Sequence, residues 1–481
     1  MQVSLFLPPL AISHNNIAVE IDGVRQEATL SGEQRMIGYS SGPKPVLTVL
    51  ASRGIPQEWK DDVRAANSNG VQFQRSELPL SQWNTHWLGY TSYDVVLLTS
   101  EEARSIPTNV LAALRQYMTV GGIVMVHDPQ GGAASIPKSL KDPDRPEMES
   151  DGYPVGFGQV RPSPGSDTWP TTLWMDRIRS IAAPQNAEVR LQHEFRVPVR
   201  GLLTLVILFS IGIGPVNVWL LSRRNKKMWL WWNVPAVSLA TCFLIFLYSL
   251  LSEGVTSDTQ KTALTLLDER IHEASTLGFV SYYCPLTPTG GLHFSYDTEV
   301  IPLSETGMVD AWGRDESSTE KTIDWTADQH LDTGWAPSRV PVCFGIRKNE
   351  RRRERLVFHH DSPGKLSVVN GLGTDITALH YQDRDGTLYR AAAIPSGQEA
   401  PLTKIASPDS TAKMSLREAY RNDWASMLVQ MKGDPVKYLH KGHYLAVTKE
   451  SVFVEDSLAG GAAKPSFGLV YGISAEDENG R

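Results

Sequence analysis

Cysteine is scarce in this chain, with three in 481 residues: Cys242, Cys284 and Cys343. No cysteine precedes Cys242, which excludes a cysteine nucleophile from the N-terminal half of the protein. No two cysteines stand at C-x-x-C spacing, so zinc ribbons and similar sites are excluded as well. The sequence also lacks a P-loop and a G-x-G-x-x-G fingerprint, and it therefore offers no nucleotide-binding motif.

A large excess of positive charge is also missing. The chain has 46 Lys and Arg against 53 Asp and Glu, a net charge of −7. Nothing in this balance favours nucleic acid as a partner, and we expect none. The length suggests about three domains. With 41% hydrophobic and 21% charged residues, most of the chain has the composition of water-soluble modules.

Two long runs without charge are the clearest positive feature. Residues 201–222 and 228–252 contain no Asp, Glu, Lys or Arg. Each run matches the ~20 apolar residues that cross a ~30 Å hydrocarbon core. A pair of buried helices in a soluble core is the alternative, but such helices keep a polar stripe. The runs therefore predict a transmembrane helical hairpin over residues 198–253.

The basic loop between the runs predicts an orientation. By the positive-inside rule, residues 223–227 lie in the cytoplasm, and both large domains lie outside the bacterial inner membrane. The expected partners are the lipid bilayer and other membrane or envelope proteins, or a second copy of the chain. Outside, Cys284 and Cys343 can form a disulfide, and two free buried thiols are the alternative. The residues predicted at the membrane interface are Arg223, Arg224, Lys226, Lys227, Trp229, Trp231 and Trp232.

The N-terminus conflicts with this orientation. The opening MQVSLFLPPLAISHNN has neither the basic region nor the apolar core of a signal peptide. Export of a large N-terminal domain requires such a signal. We therefore expect the true start to lie upstream of Met1, and the alternative is an inverted orientation.

Local patterns divide the rest of the chain. Residues 1–42 predict a partial β-segment and linker, and residues 43–190 an α/β domain whose apolar runs alternate with helices, as in a parallel sheet. Residues 254–481 predict a β-rich, sandwich-like domain, although 259–274 is expected to be helical. One amphipathic helix, 415–432, begins at a capping box formed by Ser415 and Glu418.

Two segments resemble known families. YDVVLLTSEEARSIPTNVLAALRQYMTVGGIVMVHD has the strand, two helices, Gly-Gly and strand of class I glutamine amidotransferase-like, flavodoxin-type domains. The Gly214-Pro215-Val216-Asn217 and Arg223-Arg224 motifs and the SVVNGLGTDITALHYQDRDGTLYRAAAIPSGQEAPL segment are similar to uncharacterised bacterial two-span membrane proteins. The resemblance covers roughly residues 44–470. It implies a flavodoxin-like domain, a transmembrane hairpin and a mainly-β C-terminal domain, but no reaction.

Candidate catalytic residues are few. Amidotransferases need a cysteine with a later His and Glu, and residues 43–190 contain no cysteine, so we expect no glutaminase activity. A G-x-S-x-G match at Ser40 precedes Pro43 and a strand, not the helix that a nucleophile elbow requires, and is interpreted as a linker. No metal or cofactor site is predicted, because His193-Glu194 lacks a second histidine and adjacent His359 and His360 point to opposite faces.

His127 and Asp128 are the ligand-binding candidates. They follow the apolar run 123–127, and ligands bind at the carboxyl ends of strands in open α/β sheets. A capped strand end is the alternative interpretation. The basic run 347–355 is expected to be a solvated, salt-bridged face. The alternatives are contact with nucleic acid or phospholipid headgroups in the cytoplasm, or with the acids of a partner or of residues 310–320 outside.

These observations predict a non-enzymatic, membrane-anchored scaffold or sensor that displays two extracytoplasmic domains for partner or ligand binding. An accessory subunit of a membrane transport complex is one alternative. An envelope hydrolase using Ser40 or His127 and Asp128 is the other.

Overall fold

The computed structural model describes most of the chain between residues 14 and 475. The described residues are 14–21, 24–31, 47–59, 71–129, 136–142, 148, 152–163, 203, 207, 209–216, 219, 223, 230–253, 256–303, 321–362, 365–406 and 413–475. Across them the protein is mainly β-sheet with few helices, so the predicted fold class of a membrane protein with a flavodoxin-like domain is wrong.

An N-terminal hairpin comes first. Strands β1 (His14–Ile21) and β2 (Val24–Ser31) pair antiparallel, with Ile21 opposite Val24. The Asp22-Gly23 dipeptide between them is the turn signal that the sequence carries at this point.

A six-stranded sheet follows. Its strands are β3 (Leu47–Ala51), β4 (Val71–Arg75), β5 (Val95–Thr99), β6 (Ile123–His127), β7 (Tyr153–Val155) and β8 (Gly158–Pro162). The spatial order is β4-β3-β5-β6-β8-β7, and all neighbours are parallel except β7 and β8. Strands β5 and β6 are continuously apolar up to their last residue because the sheet is covered on both faces.

Two helices lie wholly within the described part of this unit and pack beside the sheet. Helix α1 (Ser100–Arg104) starts at a capping box in which Thr99 and Glu102 exchange hydrogen bonds. Helix α2 (Thr108–Thr119) buries an apolar face that includes Val110, Leu114 and Tyr117. Between β6 and β8 the described residues form the 3-10 helix Lys138–Leu140 and strand β7, where a flavodoxin-type domain has a crossover helix. Other 3-10 helices are Leu80–Gln82, Trp87–Tyr90 and Pro435–Lys437.

The predicted transmembrane hairpin over 198–253 is also wrong. Counting only the described residues, no helix is long and apolar enough to cross a membrane. In the first segment, Gly212–Val216 is a π-helical turn that contains Pro215, whose ring nitrogen cannot donate a hydrogen bond. The second segment forms helix α3 (Leu230–Glu253), which contains Pro235. Within α3 the Thr241 hydroxyl donates a 2.8 Å hydrogen bond to the Val237 carbonyl.

The C-terminal half is built on a twelve-stranded sheet. The strands of this half are β9 (Asp258–Asp268), β10 (Glu273–Tyr283), β11 (Leu292–Phe294), β12 (Thr298–Leu303), β13 (Ile323–Asp324), β14 (Gln329–Leu331), β15 (Val342–Arg351), β16 (Arg355–Ser362), β17 (Lys365–Gly371), β18 (Ile376–Gln382), β19 (Leu388–Ala391), β20 (Glu399–Ile405), β21 (His443–Thr448), β22 (Ala462–Ala463) and β23 (Phe467–Ile473). The order of the large sheet is β12-β15-β10-β9-β23-β21-β18-β19-β20-β17-β16, with β22 beside β9, and β11, β14 and β13 form a small sheet.

Two expectations for this half are corrected. The helix expected at 259–274 is the β9–β10 pair, which aligns Leu267 with Ala274 across an antiparallel ladder. The sandwich is replaced by a continuous sheet, because β9 and β23 pair in parallel and join its two halves. Helix α4 (Leu416–Gly433) starts within one residue of its predicted position and buries Met427, Leu428 and Met431.

The two sheets share one apolar core. We call residues 47–163 the parallel unit and residues 256–475 the β unit. A single cluster of buried side chains includes Val96 and Tyr117 of the parallel unit with Leu264, Leu428 and Tyr471 of the β unit. At ~25 cal/mol per Å² of buried apolar surface, such a shared core holds the units against each other.

Candidate functional site

The predicted ligand residues lie at the carboxyl edge of the parallel sheet. His127 ends β6 with 3% of its surface exposed, and its ring meets Trp59 edge-to-face at 4.6 Å between centroids. Asp128 follows and is half-buried. His127 is therefore a packed group under an indole ring.

Thr99 is the register partner of His127 on the neighbouring strand β5. Its hydroxyl accepts a 3.2 Å hydrogen bond from the Glu102 amide, which begins α1. The Glu102 carboxylate in turn accepts from the Thr99 amide at 3.1 Å and from the Thr99 hydroxyl at 3.0 Å. The capping box thus turns the Glu102 side chain back toward the sheet edge.

Glu102 also reaches the loop after β3. Its carboxylate accepts a hydrogen bond from the Ser52 hydroxyl and a 3.1 Å bond from the Gly54 amide. A Cβ at Gly54 would lie 2.9 Å from the Glu102 carboxyl and from Thr99 Cγ2, so the loop approaches this closely only with glycine. Strands β3 and β5 are adjacent, and Glu102 cross-links their carboxyl ends. All of these contacts stabilise the local structure at the carboxyl edge of the parallel sheet.

A second polar cluster lies where the two units meet. Arg347 of β15 and Glu299 of β12 are register partners, and their side chains form a two-pronged ion pair, with Arg347 Nη2 2.7 Å from Glu299 Oε1. The side chains are 11% and 4% exposed, respectively. The charge of Arg347 also acts on Asp94 of the parallel unit, which accepts a 2.7 Å hydrogen bond from the Thr48 amide. Burial nevertheless raises the pKa of Asp94.

Two hydrogen-bonding contacts cross directly between the units. The His86 Nε2 and the Asp297 carboxylate are 2.8 Å apart, and this contact holds the pKa of Asp297 below its usual range against the opposing effect of burial. Asn349 Nδ2 donates to the Thr119 hydroxyl at 3.2 Å. We call this set of contacts, with Arg347 and its partners, the seam. It fixes the parallel unit in one orientation on the β unit.

The basic run at 347–355 mostly meets acids of its own unit. Lys348 Nζ lies 3.1 Å from Glu350 and 3.6 Å from Glu455. Arg352 contacts Glu350 at 2.8 Å and Glu354 at 3.1 Å. The expected ion pairs are present, but the face is not solvated throughout, because Lys348 is buried with 6% of its surface exposed. Residues 310–320 lie outside the described residues.

The predicted interface residues are only partly described. Arg223 lies over the Trp219 ring, 5.2 Å from its centroid. Trp231 and Trp232 are 86% and 82% exposed on α3. Four of the predicted interface residues lie outside the described residues: Arg224, Lys226, Lys227 and Trp229. The serine candidate, Ser40, also lies outside them.

Cys284 and Cys343 are buried and are not joined by a disulfide. Cys343 lies opposite Ser281 in the β10–β15 register, three residues away from Cys284. At about 3.3 Å per residue this offset is roughly 10 Å. A disulfide needs a Cα separation below ~7 Å, so a bond here requires backbone movement. Burial raises the pKa of the Cys284 thiol.

The Glu102 cross-link and the seam were missed from the sequence. The T-x-x-E spacing of Thr99 and Glu102 is a capping-box signal that could have located the first. The seam has no comparable signal, because Glu299 and Arg347 become neighbours only through the register of β12 on β15. No metal-binding cluster of His, Cys, Asp or Glu occurs among the described residues.

Comparisons with known proteins add little to this geometry. No protein-family model matches the sequence. No curated protein matches it either. Among solved structures, the yeast delta-COP-I mu-homology domain complexed with a Dsl1 WxWxV peptide matches at 8% identity, covering 45% of this chain and 94% of that one. The TM-score is 0.19, and the match carries no argument about fold or function. The resemblance to the bacterial family stays a prediction.

Proposed function

We propose that the protein is a non-enzymatic scaffold or sensor that displays the parallel unit and the β unit as one body for partner or ligand binding. The observation that carries the proposal is that the Glu102 carboxylate at the carboxyl edge of the parallel sheet is taken up by structural hydrogen bonds. In open α/β sheets this edge is the usual place for chemistry. Here the Glu102 carboxylate accepts hydrogen bonds from Ser52, Gly54 and Thr99, and these contacts make it a structural cross-link.

The position of His127 supports the same proposal. A general base must come within hydrogen-bond reach of its substrate. His127 is almost fully buried with its ring against Trp59, and a substrate would have to displace that indole. The histidine is better placed to close the strand end than to take a proton from a ligand.

The seam supports the part of the proposal that joins the units. A buried ion pair adds little net stability, but it favours one arrangement over others because a misplaced partner leaves a buried charge. Arg347 and Glu299 form such a pair within the β unit, and the charge of Arg347 acts on Asp94 of the parallel unit. The contacts that cross directly are His86 with Asp297 and Asn349 with Thr119. A change in one unit would therefore reach the other through these contacts.

A search for turnover tests the proposal. The purified full chain is assayed for ammonia release from glutamine and for hydrolysis of p-nitrophenyl acetate. Heat-denatured protein and the variants Ser40→Ala and Asp128→Asn serve as controls. We expect native and denatured protein to give the same rates. Turnover by the native chain that disappears in Ser40→Ala or Asp128→Asn would contradict the proposal and favour the hydrolase.

The expected partners stay predictions. They are other envelope proteins or a second copy of this chain, and the expected location is the bacterial inner membrane. The exposed indoles of Trp231 and Trp232 are compatible with a contact surface, because large exposed apolar groups in a cluster mark interaction sites.

A further inference from the structure

A cavity of about 290 Å³ lies where the parallel unit meets the β unit. Asp142, which follows the 3-10 helix Lys138–Leu140, lines it from the parallel unit. The β unit contributes basic and polar side chains: Arg270, Arg384, Lys441, His443 and Ser474. The volume is just below the usual range for ligand pockets, which run from about 300 to 1,000 Å³. The cavity thus suits a small molecule and not a polymer.

Strand register brings these residues together. Asp268 pairs with Ile473, Ile473 with His443, and His443 with Gln382, so one row of residues crosses β9, β23, β21 and β18. Every one of these strands begins or ends at this row. The turns that leave them therefore lie along one edge of the sheet.

The basic residues occupy those turns. Arg270 lies in the β9–β10 turn, Arg384 in the β18–β19 turn, and Lys441 two residues before β21. Two glycines with positive φ, Gly386 at 94° and Gly442 at 75°, shape the last two turns. A Cβ at Gly386 would lie 3.4 Å from Lys441 Cε, and one at Gly442 3.9 Å from Arg384 Cγ. The aliphatic part of each cationic side chain therefore passes beside the glycine of the other turn. This packing keeps the guanidinium group of Arg384 and the ammonium group of Lys441 at the cavity.

Cationic side chains outnumber acidic ones among the residues that line the cavity. Arg270, Arg384 and Lys441 line it, and Asp142 is the acid that lines it. Arg270 also pairs with Asp268, with its Nη2 2.5 Å and its Nε 2.8 Å from that carboxylate. Among the lining residues, three cations therefore stand against one acid, and Asp268 and the acids of the 383–387 turn lie outside the lining. An anion is therefore the ligand class that the cavity attracts.

The polar groups beside the cations narrow this class. His443 Nδ1 and the Lys441 carbonyl are 2.8 Å apart, which orients the imidazole at the cavity wall. Ser474 adds a buried hydroxyl group. Guanidinium and ammonium groups together with hydroxyl and imidazole groups are the donors that bind phosphate oxygens.

Asp142 selects among anions. A carboxylate repels a fully deprotonated oxyanion, but it accepts a hydrogen bond from one that still carries a proton. Inorganic phosphate near neutral pH keeps at least one proton, whereas sulfate keeps none. A phosphomonoester, with a second pKa near 6, is mostly deprotonated at pH 7. Asp142 thus favours phosphate over both.

We propose that the cavity between the two units binds inorganic hydrogen phosphate, with Arg384 and Lys441 contacting its anionic oxygens and Asp142 accepting its proton-bearing oxygen. The inference rests on the proposed function, because it names the ligand that the sensor detects. Since Asp142 belongs to one unit and the cations to the other, bound phosphate bridges them.

Isothermal titration calorimetry of the purified full chain tests this proposal. Inorganic phosphate, sulfate and glycerol 3-phosphate are titrated at pH 7 and equal ionic strength. We expect saturable phosphate binding at least tenfold tighter than that of the other two anions. The double variant Arg384→Gln, Lys441→Gln should weaken phosphate binding more than tenfold. Lys449→Gln, at the opposite end of β21, is the matched control and should bind like the parent chain.

The variant Asp142→Asn tests the selectivity. It should narrow the preference for phosphate over sulfate, because an amide can donate to either anion. Absence of phosphate binding, or binding that the double variant leaves unchanged, overturns the proposal. Arg384 and Lys441 are exposed, and circular dichroism checks that the double variant folds. Failed binding without enzymatic turnover would overturn the phosphate assignment alone, whereas turnover in the assays above would overturn the proposed function.

Discussion

The Tyr444 hydroxyl donates a 2.6 Å hydrogen bond to the buried carboxylate of Glu269. The same carboxylate accepts from the Leu356 amide at 2.8 Å and from the Ala475 amide at 3.3 Å. Glu269 directly follows β9, so one side chain ties the middle of the large sheet to the start of β16 and to the segment after β23. Burial raises the pKa of Glu269 and, with the nearby carboxylate, raises that of Tyr444 well above its usual range.

The raised pKa of Glu269 predicts a pH-dependent stability. The folded protein holds this proton more tightly than the unfolded chain, so the contribution is complete below the unfolded pKa and is lost as pH rises through the folded pKa. A neutral isostere removes the effect. We therefore expect Glu269→Gln to gain free energy of unfolding relative to the parent chain as pH rises from 4.5 to 7, measured by urea denaturation.

The variant Glu101→Gln, at an exposed position, is the control for that series. Its free energy of unfolding, plotted against pH, should run parallel to that of the parent chain. Parallel curves for Glu269→Gln would show that the buried carboxyl does not titrate differently in the folded state.

The Glu102 cross-link predicts a cost for Gly54→Ala. The added methyl group would lie 2.9 Å from the Glu102 carboxyl and would separate it from the Ser52 loop. Overpacking of this kind costs about 1–3 kcal/mol of the free energy of unfolding. Gly290→Ala is the matched control, because no atom lies within 4 Å of its Cβ position. Equal stability of the two variants by thermal denaturation would argue against the cross-link.

The seam predicts a larger cost for Glu299→Ala. Removal of the carboxylate leaves Arg347 buried without its two-pronged partner. Breaking a buried pair from one side costs about 3–5 kcal/mol. Glu77→Ala breaks an exposed contact with Arg75 and should cost less than about 1 kcal/mol. A similar loss for both variants in urea denaturation would place Arg347 in contact with solvent.

The sequence predicted local features well where a short segment determines them. The apolar strands that end at Thr99 and His127 form as expected, because continuous burial selects apolar residues at each position. Asp385-Gly386 lies in the turn between β18 and β19, where Gly386 has the positive φ of such turns. Helix α4 begins beside Ser415, as its capping box indicated.

Features that depend on distant partners were not predictable. Residues 259–268 are apolar enough for a helix, and they form β9 because β10 and β23 provide ladders on both sides. β23 lies about 200 residues further along the chain, and no local pattern records that pairing. The phosphate site has the same origin, since Arg270, Arg384 and Lys441 meet only through the strand register. The hairpin prediction failed because apolar composition alone does not establish a helix that crosses a membrane.

Hydrogen–deuterium exchange of the full chain with and without saturating inorganic phosphate tests most directly the claim that the protein is a sensor whose two units respond as one body. We predict slower exchange in the turns at 383–387 and 440–443 of the β unit and also at 136–142 of the parallel unit, because Asp142 and the basic turns share the ligand. Lys449→Gln should keep this pattern, and the Arg384→Gln, Lys441→Gln variant should lose it. Protection confined to one unit, or unchanged exchange in both, would contradict the account.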